Sequence, residues 1–176
     1  MYRPSRYGVH DETLARFQEL FYSCPISPYI SMHVNQRETY RDDGQFVDER
    51  SGRQIGLDWE YRDRYFKNCR LQFDTLGQYE RKLEKPEIQI SLQCDETETG
   101  IAVGWHYDWL REPAARRSLR TDYAQRENGG TRYTKKFKIY SYSDIGKFKR
   151  MLDYALATGT YHYEAFAHDE ESQAQF

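Results

Sequence analysis

The stretch Gly100–Glu112, GIAVGWHYDWLRE, sets His106 and Asp108 two residues apart, between Trp105 and Trp109. An imidazole beside a carboxylate can move a proton, and carboxylates gathered near it can hold a hard divalent cation. Glu87 heads the preceding segment EIQISLQC, and Asp74 ends NCRLQFD. Asp74, Glu87, His106 and Asp108 are therefore a candidate catalytic set. Within it, Asp74, Glu87 and Asp108 would be the ligands of Mg2+ or Mn2+ in a metal-dependent nuclease.

A second chemistry lies just downstream. Residues 111–150 carry 12 Lys+Arg against 4 Asp+Glu, a net of +8 in a chain whose total is −2. The preceding 110 residues and the last 26 are both acidic. Arg116, Arg117 and Arg120 have the three- and four-residue spacing of one helix side. Lys135, Lys136 and Lys138 follow, interleaved with Tyr133, Phe137 and Tyr140, and Lys147, Lys149 and Arg150 extend the run. Cations neutralise phosphates and aromatic rings stack on bases, so these six named Arg and Lys residues are candidate contacts to nucleic acid or another polyanion. Binding of that kind needs no cofactor. Binding of nucleic acid or another polyanion through 111–150 is the leading reading, with the metal-dependent nuclease as its alternative and a protein-interaction or inhibitor module, its charged segments meeting a complementary protein, as a further one.

The elements that position these residues follow from periodicity. Residues 11–23 read as a helix with the stripe Leu14, Phe17, Leu20, Phe21, capped by Asp11. YISMHVN (29–35) alternates as a half-buried strand, and 38–61 reads as a meander with a turn at Asp43-Gly44. NCRLQFD (68–74) reads as a strand, and 74–86 as a short helix ended by Pro86. The segments 87–94 and 100–109 form a hairpin. Its apolar faces must coincide, which places Ile88, Ile90, Leu92 and Cys94 with Ile101, Val103, Trp105, Tyr107 and Trp109. The polar set Glu87, Gln89, Ser91, Gln93, His106 and Asp108 then shares the other face. With Cys94 opposite Ile101, Gln89 falls opposite His106 and Glu87 opposite Asp108. Against the catalytic reading stands a plainer one, in which a helix or water covers that face and His106–Asp108 is an ordinary hydrogen-bonded pair.

Beyond the hairpin, 113–127 reads as an exposed helix, 131–142 as a strand, and 143–159 as a helix capped by Ser143 and ended by Gly159. The segment from 160 reads as a last strand that frays into an acidic tail over 164–176. The expected fold is α+β, a mainly antiparallel sheet of about five to seven strands with three or four helices packed mostly on one face.

Bulk properties agree with one domain over residues 1–176. Only 38% of residues are hydrophobic, but 16% are aromatic, enough to build a core from few, large side chains. No apolar run is long enough to span a bilayer, so no membrane partner is expected. Cys24, Cys69 and Cys94 are widely spaced and lack a C-x-x-C pair, and the N-terminus has no signal-like apolar run, so the expected setting is cytoplasmic. No Walker A, G-x-G-x-x-G, H-E-x-x-H or G-x-S-x-G motif is present. The restriction-type nuclease pattern, an Asp ending one strand and Glu-x-Lys on the next, is not met. Glu87-Ile88-Gln89 has Gln in the Lys position, and Glu80-Arg81-Lys82 falls within the helical reading of 74–86.

Overall fold

A computed structural model describes residues 6–35, 42–62, 72–73, 81–111, 132–133 and 138–166. Helix α1 (Arg6–Ser23) leads into β1 (Ile30–Val34), β2 (Gly44–Asp48) and β3 (Gln54–Arg62). Next come β4 (Gln72–Phe73), β5 (Gln89–Asp95), β6 (Gly100–Trp105) and helix α2 (His106–Arg111). Strand β7 (Arg132–Tyr133) precedes β8 (Lys138–Ser141), a 3-10 turn at Tyr142–Asp144 and helix α3 (Ile145–Thr158). The main sheet has six strands in the order β1-β2-β3-β5-β6-β8, and β4 pairs with β7 in a separate two-stranded sheet. All pairings in the main sheet are antiparallel except β3 with β5. This is the α+β, mainly antiparallel architecture that the sequence pattern implies. Among the described residues no helix is long and apolar enough to cross a membrane.

One face of the sheet is the core. Met32, Phe46 and Ile55 align across β1–β3, and Trp59, Leu92 and Val103 align across β3, β5 and β6. Leu14, Phe17 and Phe21 of α1 and Phe148, Met151, Leu152 and Leu156 of α3 cover this face. Rings interlock: Phe17 meets Trp59 with centroids 5.1 Å apart, and Phe148 meets Phe46 and Tyr140, each at 5.7 Å. Burying such rings supplies much of the stabilisation in a chain with few aliphatic residues.

The hairpin register is as expected, with Cys94 opposite Ile101 and Ile90 opposite Trp105. Its ends differ. Strand β5 begins at Gln89, so Glu87 precedes it, and Ile88 is exposed rather than in the core. Strand β6 ends at Trp105, and the chain turns helical at His106. Alternation stops there. Trp109 is fully buried and stacks on His106 at 4.8 Å, so these two share one side instead of opposite faces.

Other differences are local. Helix α1 starts at Arg6, one and a half turns before the expected Asp11 cap. Ser141, not Ser143, accepts the capping hydrogen bond ahead of α3, because a 3-10 turn precedes that helix. Gly159 ends α3 at φ 70°, a left-handed conformation that glycine adopts at no steric cost. Residues 163–166 are helical instead of forming a last strand. The helix reading of 113–127 lies outside the described residues.

Lys149 also departs from expectation. It is only 2% exposed and donates to the carbonyls of Phe21 and Cys24, at 3.1 and 2.9 Å, beside the Phe21 ring. It thus satisfies carbonyls at the C-terminal end of α1 rather than extending a basic surface. Burial pushes its pKa below the ordinary lysine value. Replacing Lys149 by Met, which keeps the bulk but not the donors, is expected to cost about 1–3 kcal/mol of stability. Urea unfolding of the two proteins at pH 7 measures it.

Candidate functional site

The sheet's second face is polar and buried. Adjacent rows place Gly56 beside Gln89, Asp58 beside Ser91 and Gly104, Glu60 beside Gln93 and Ala102, and Arg62 beside Asp95. Gln89, Ser91, Gln93 and Asp95 are each at most 5% exposed. Polar groups in such a place generally need partners. Ser91 and Gln93 find theirs on β3 and Asp95 accepts from Thr97, while Gln89 Nε2 has none among the described residues. Ser91 Oγ lies 3.2 Å from Asp58 Oδ2, Gln93 Nε2 donates to Glu60 Oε2 at 3.1 Å, and Arg62 donates to the same oxygen at 2.7 Å. A Cβ at Gly56 would lie 2.1 Å from Gln89 Oε1, so any side chain here would make the Gln89 amide move.

The connection from β3 to β5 brings Lys82 onto this face. Its ammonium bonds Asp58 Oδ2 and lies 2.8 Å from Glu60 Oε1. Two carboxylates on one strand face are therefore bridged by one cation. Burial pushes the Asp58 carboxyl up to about 6, with Glu60 and Asp43 adding to the rise and Lys82 opposing it. Burial also works against the Lys82 charge, but Asp58 and Glu60 outweigh it and hold the ammonium above its usual range. At neutral pH this is an ion-paired cluster. Asp58, Glu60 and Lys82 retain side-chain exposures of 15%, 14% and 12%, so the group is not sealed from solvent.

His106 closes one side of the cluster. Its Nε2 lies 2.7 Å from Ser91 Oγ, and Nδ1 is buried without a hydrogen-bond partner. Burial, with Lys82 and Lys85 adding to it, pushes its pKa down to about 3, so the ring is neutral at physiological pH. With Asp58 ionised, the Ser91 hydroxyl donates to Asp58 and accepts from His106 Nε2–H. Nδ1 is then a bare acceptor. Ser91 and His106 do not form a nucleophile–base pair of the serine hydrolase kind, because the carboxylate takes the serine proton rather than orienting the imidazole.

A second titrating group borders the face. His10 Nε2 lies 2.8 Å from the Trp59 carbonyl and 3.7 Å from Asp43 Oδ2, and Nδ1 lies 3.0 Å from Asp11. Burial disfavours its charge, yet the Asp43 and Asp11 carboxylates outweigh that and raise its pKa to about 9. Asp43 in turn accepts from the Trp59 amide at 2.8 Å, next to Asp58 in sequence.

The residues singled out by sequence are spread over several places. Glu87 pairs with Arg111 at 2.9 Å on an exposed surface, and Asp108 Oδ2 accepts from the Tyr163 amide at 3.4 Å. His106 keeps to the polar face through Ser91. Lys138 is exposed at the start of β8, 5.3 Å from the centroid of the Tyr163 ring. Asp74, Arg116, Arg117, Arg120, Lys135 and Lys136 lie outside the described residues. Among the described residues no group of three or more His, Cys, Asp or Glu side chains is placed to hold a metal ion. Asp58, Glu60 and Lys82 were not singled out by sequence. The usable signal was GLDWEYR (56–62), where acids alternate with two aromatic residues in a strand pattern.

No family model, no curated protein and no solved structure matches the chain.

The two histidines make opposite predictions. His10, raised from 6.5 to about 9, contributes stability that is fully present below pH 6.5 and is lost as pH rises through 9. Denaturation midpoints are expected to fall over that window in the wild type and to fall less in His10→Gln. NMR of the ring nitrogens is expected to find His106 still neutral at pH 5, with His10 protonated at pH 7.

Proposed function

We propose that the chain acts on nucleic acid as a divalent-metal-dependent nuclease whose centre is Asp58, Glu60 and Lys82. In this reading the basic segment 111–150 draws the phosphodiester backbone toward that centre. The observation that carries it is the bridging of Asp58 and Glu60 by the Lys82 ammonium on an otherwise buried polar face. Mg2+ typically takes only one or two protein carboxylates and fills its remaining positions with water and substrate phosphate. A pair of carboxylates therefore suffices as its protein ligand set. Such an ion polarises the phosphoryl group and lowers the pKa of bound water.

Lys82 has a use in either state. Without the cation its ammonium neutralises the two acids. With Asp58 and Glu60 engaged by the cation, the ammonium is left to donate to the attacking water or to a phosphoryl oxygen. In the hydrolysis, the water oxygen forms the new bond to phosphorus and gives up a proton to solvent. The ester bond to the leaving sugar oxygen breaks, and that oxygen takes up a proton. Ser91 and His106 act one step away, by fixing the Asp58 carboxylate. The hairpin set Asp74, Glu87 and Asp108 is the competing location for the same activity.

Cleavage of labelled single- and double-stranded DNA and RNA with Mg2+ or Mn2+ tests this. Asp58→Asn, Glu60→Gln and Lys82→Ala are each expected to lower the cleavage rate by at least about 100-fold, the scale of losing a group that stabilises transition-state charge. Glu87→Ala and Asp108→Ala are expected to retain it. Full activity in Asp58→Asn, or loss confined to Glu87→Ala and Asp108→Ala, would place the chemistry elsewhere.

A further inference from the structure

A separate surface is built from α2, the segment 161–163 and the start of β8. Tyr107 stacks on His162, with ring centroids 5.0 Å apart and planes at 24°. The Arg111 guanidinium lies 3.5 Å over the Tyr107 ring, and the Lys138 ammonium lies over Tyr163. Two hydrogen bonds hold this surface together: Asp108 accepts from the Tyr163 amide, and Arg111 donates to the Tyr107 carbonyl at 3.2 Å. Behind it, Tyr161 packs on Trp105 of β6.

Arg111 decides what the surface can recognise. Two of its five N–H donors are engaged, one by the Tyr107 carbonyl and another by Glu87 Oε1 at 2.9 Å. One flat face rests on Tyr107. The side chain nevertheless remains 47% exposed. An exposed guanidinium already seated on one aromatic ring offers a flat cationic surface on which a planar, electron-rich ring can stack. Lys138, a flexible point charge nearby, supplies the complementary phosphate contact. Stacking of this kind needs a base whose face is free. Duplex bases have both faces covered by neighbours and offer only edges, whereas bases of single strands are open.

We infer that Tyr107, Arg111, His162, Tyr163 and Lys138 form a stacking platform for the bases of single-stranded nucleic acid. This rests on nucleic acid being the substrate but not on the catalytic centre lying at Asp58.

Fluorescence anisotropy with a labelled 12-nucleotide single strand and the matching duplex tests the platform, with full-length protein in EDTA so that cleavage is silent. The single strand is expected to bind at least about 10-fold more tightly than the duplex, and Arg111→Lys to weaken it about 10-fold, the scale of one lost base stack, while Tyr107→Ala, which removes the ring that seats Arg111 and His162, weakens it as well. Arg111→Lys keeps the charge and the fold while removing the plane, so it carries the test even where Tyr107→Ala fails to fold. Equal affinity for strand and duplex, unchanged binding by Arg111→Lys, or no binding of any strand at low salt would each overturn the platform. Strand binding that survives alongside absent metal-dependent cleavage would retain the platform and reject the nuclease centre. Cleavage without single-strand preference would do the reverse.

Discussion

A sheet buried on both faces can carry charge only where each charge is matched, and here the match depends on Lys82. Asp58 and Glu60 project from the same face of β3, two residues apart, into a region where Gln89, Ser91 and Gln93 are nearly sealed from water. Without the ammonium, two like charges would face each other in a poorly solvated place. Stranding one partner of a buried pair generally costs about 3–5 kcal/mol, a large share of a small domain's stability. The β3–β5 connection thus delivers the counter-charge that makes the polar face tolerable, in addition to joining two strands. Arg62 on Glu60 and Ser91 on Asp58 complete the pairing, and His106 fixes Ser91 in turn.

The two faces divide the work. One is held by rings: Phe17, Phe21, Trp59 and Phe148 fasten α1 and α3 to the strands. The other is held by directional bonds that run row by row across β3, β5 and β6. Rings tolerate small displacements, but hydrogen-bonded rows fix atoms to within a few tenths of an ångström, which is what a reacting group needs. A rigid aromatic layer beneath a polar layer is a sound base for precise chemistry. The edge of the sheet is treated separately. Tyr22 Oη accepts from the Met32 amide and donates to the Met32 carbonyl, both at 3.0 Å, so a side chain takes the place of a neighbouring strand beside β1.

Much of the core was legible in the residues. Alternation puts Leu92 and Cys94 on one face with Ile101 and Val103, because slipping by one residue would move one set to the polar face; the exact pairing of Cys94 with Ile101 it leaves open, since a slip of two keeps the faces. Helix α3 was legible from the stripe Ile145, Phe148, Met151, Leu152 and Leu156. The turn to helix at His106 was not, since Trp105, Tyr107 and Trp109 continue the same two-residue period into a helix of six residues. Nor could alternation locate Asp58 and Glu60 in a site. Their spacing is what any half-exposed strand shows, and they become buried only through the parallel pairing with β5. Lys82 sits in a charged stretch, ERKLEK, whose partners are distant in sequence. The sign of a charge can be read locally. Whether it faces water, as Lys138 does, or caps a helix in the interior, as Lys149 does, is settled by tertiary packing.

The parallel pairing of β3 with β5 has a kinetic meaning as well. The β2–β3 and β5–β6 pairs are closed by turns of a few residues, but joining β3 to β5 means ordering the whole connection between Arg62 and Gln89. Closing a longer loop costs more chain entropy before any contact repays it, so the hairpins on either side form more readily than the seam between them. Asp58 and Glu60 lie on one side of that seam, and Ser91, Gln93 and His106 on the other. The polar cluster is therefore a reporter of completed folding: Ser91 meets Asp58 and Gln93 meets Glu60 only when the two halves of the sheet have closed.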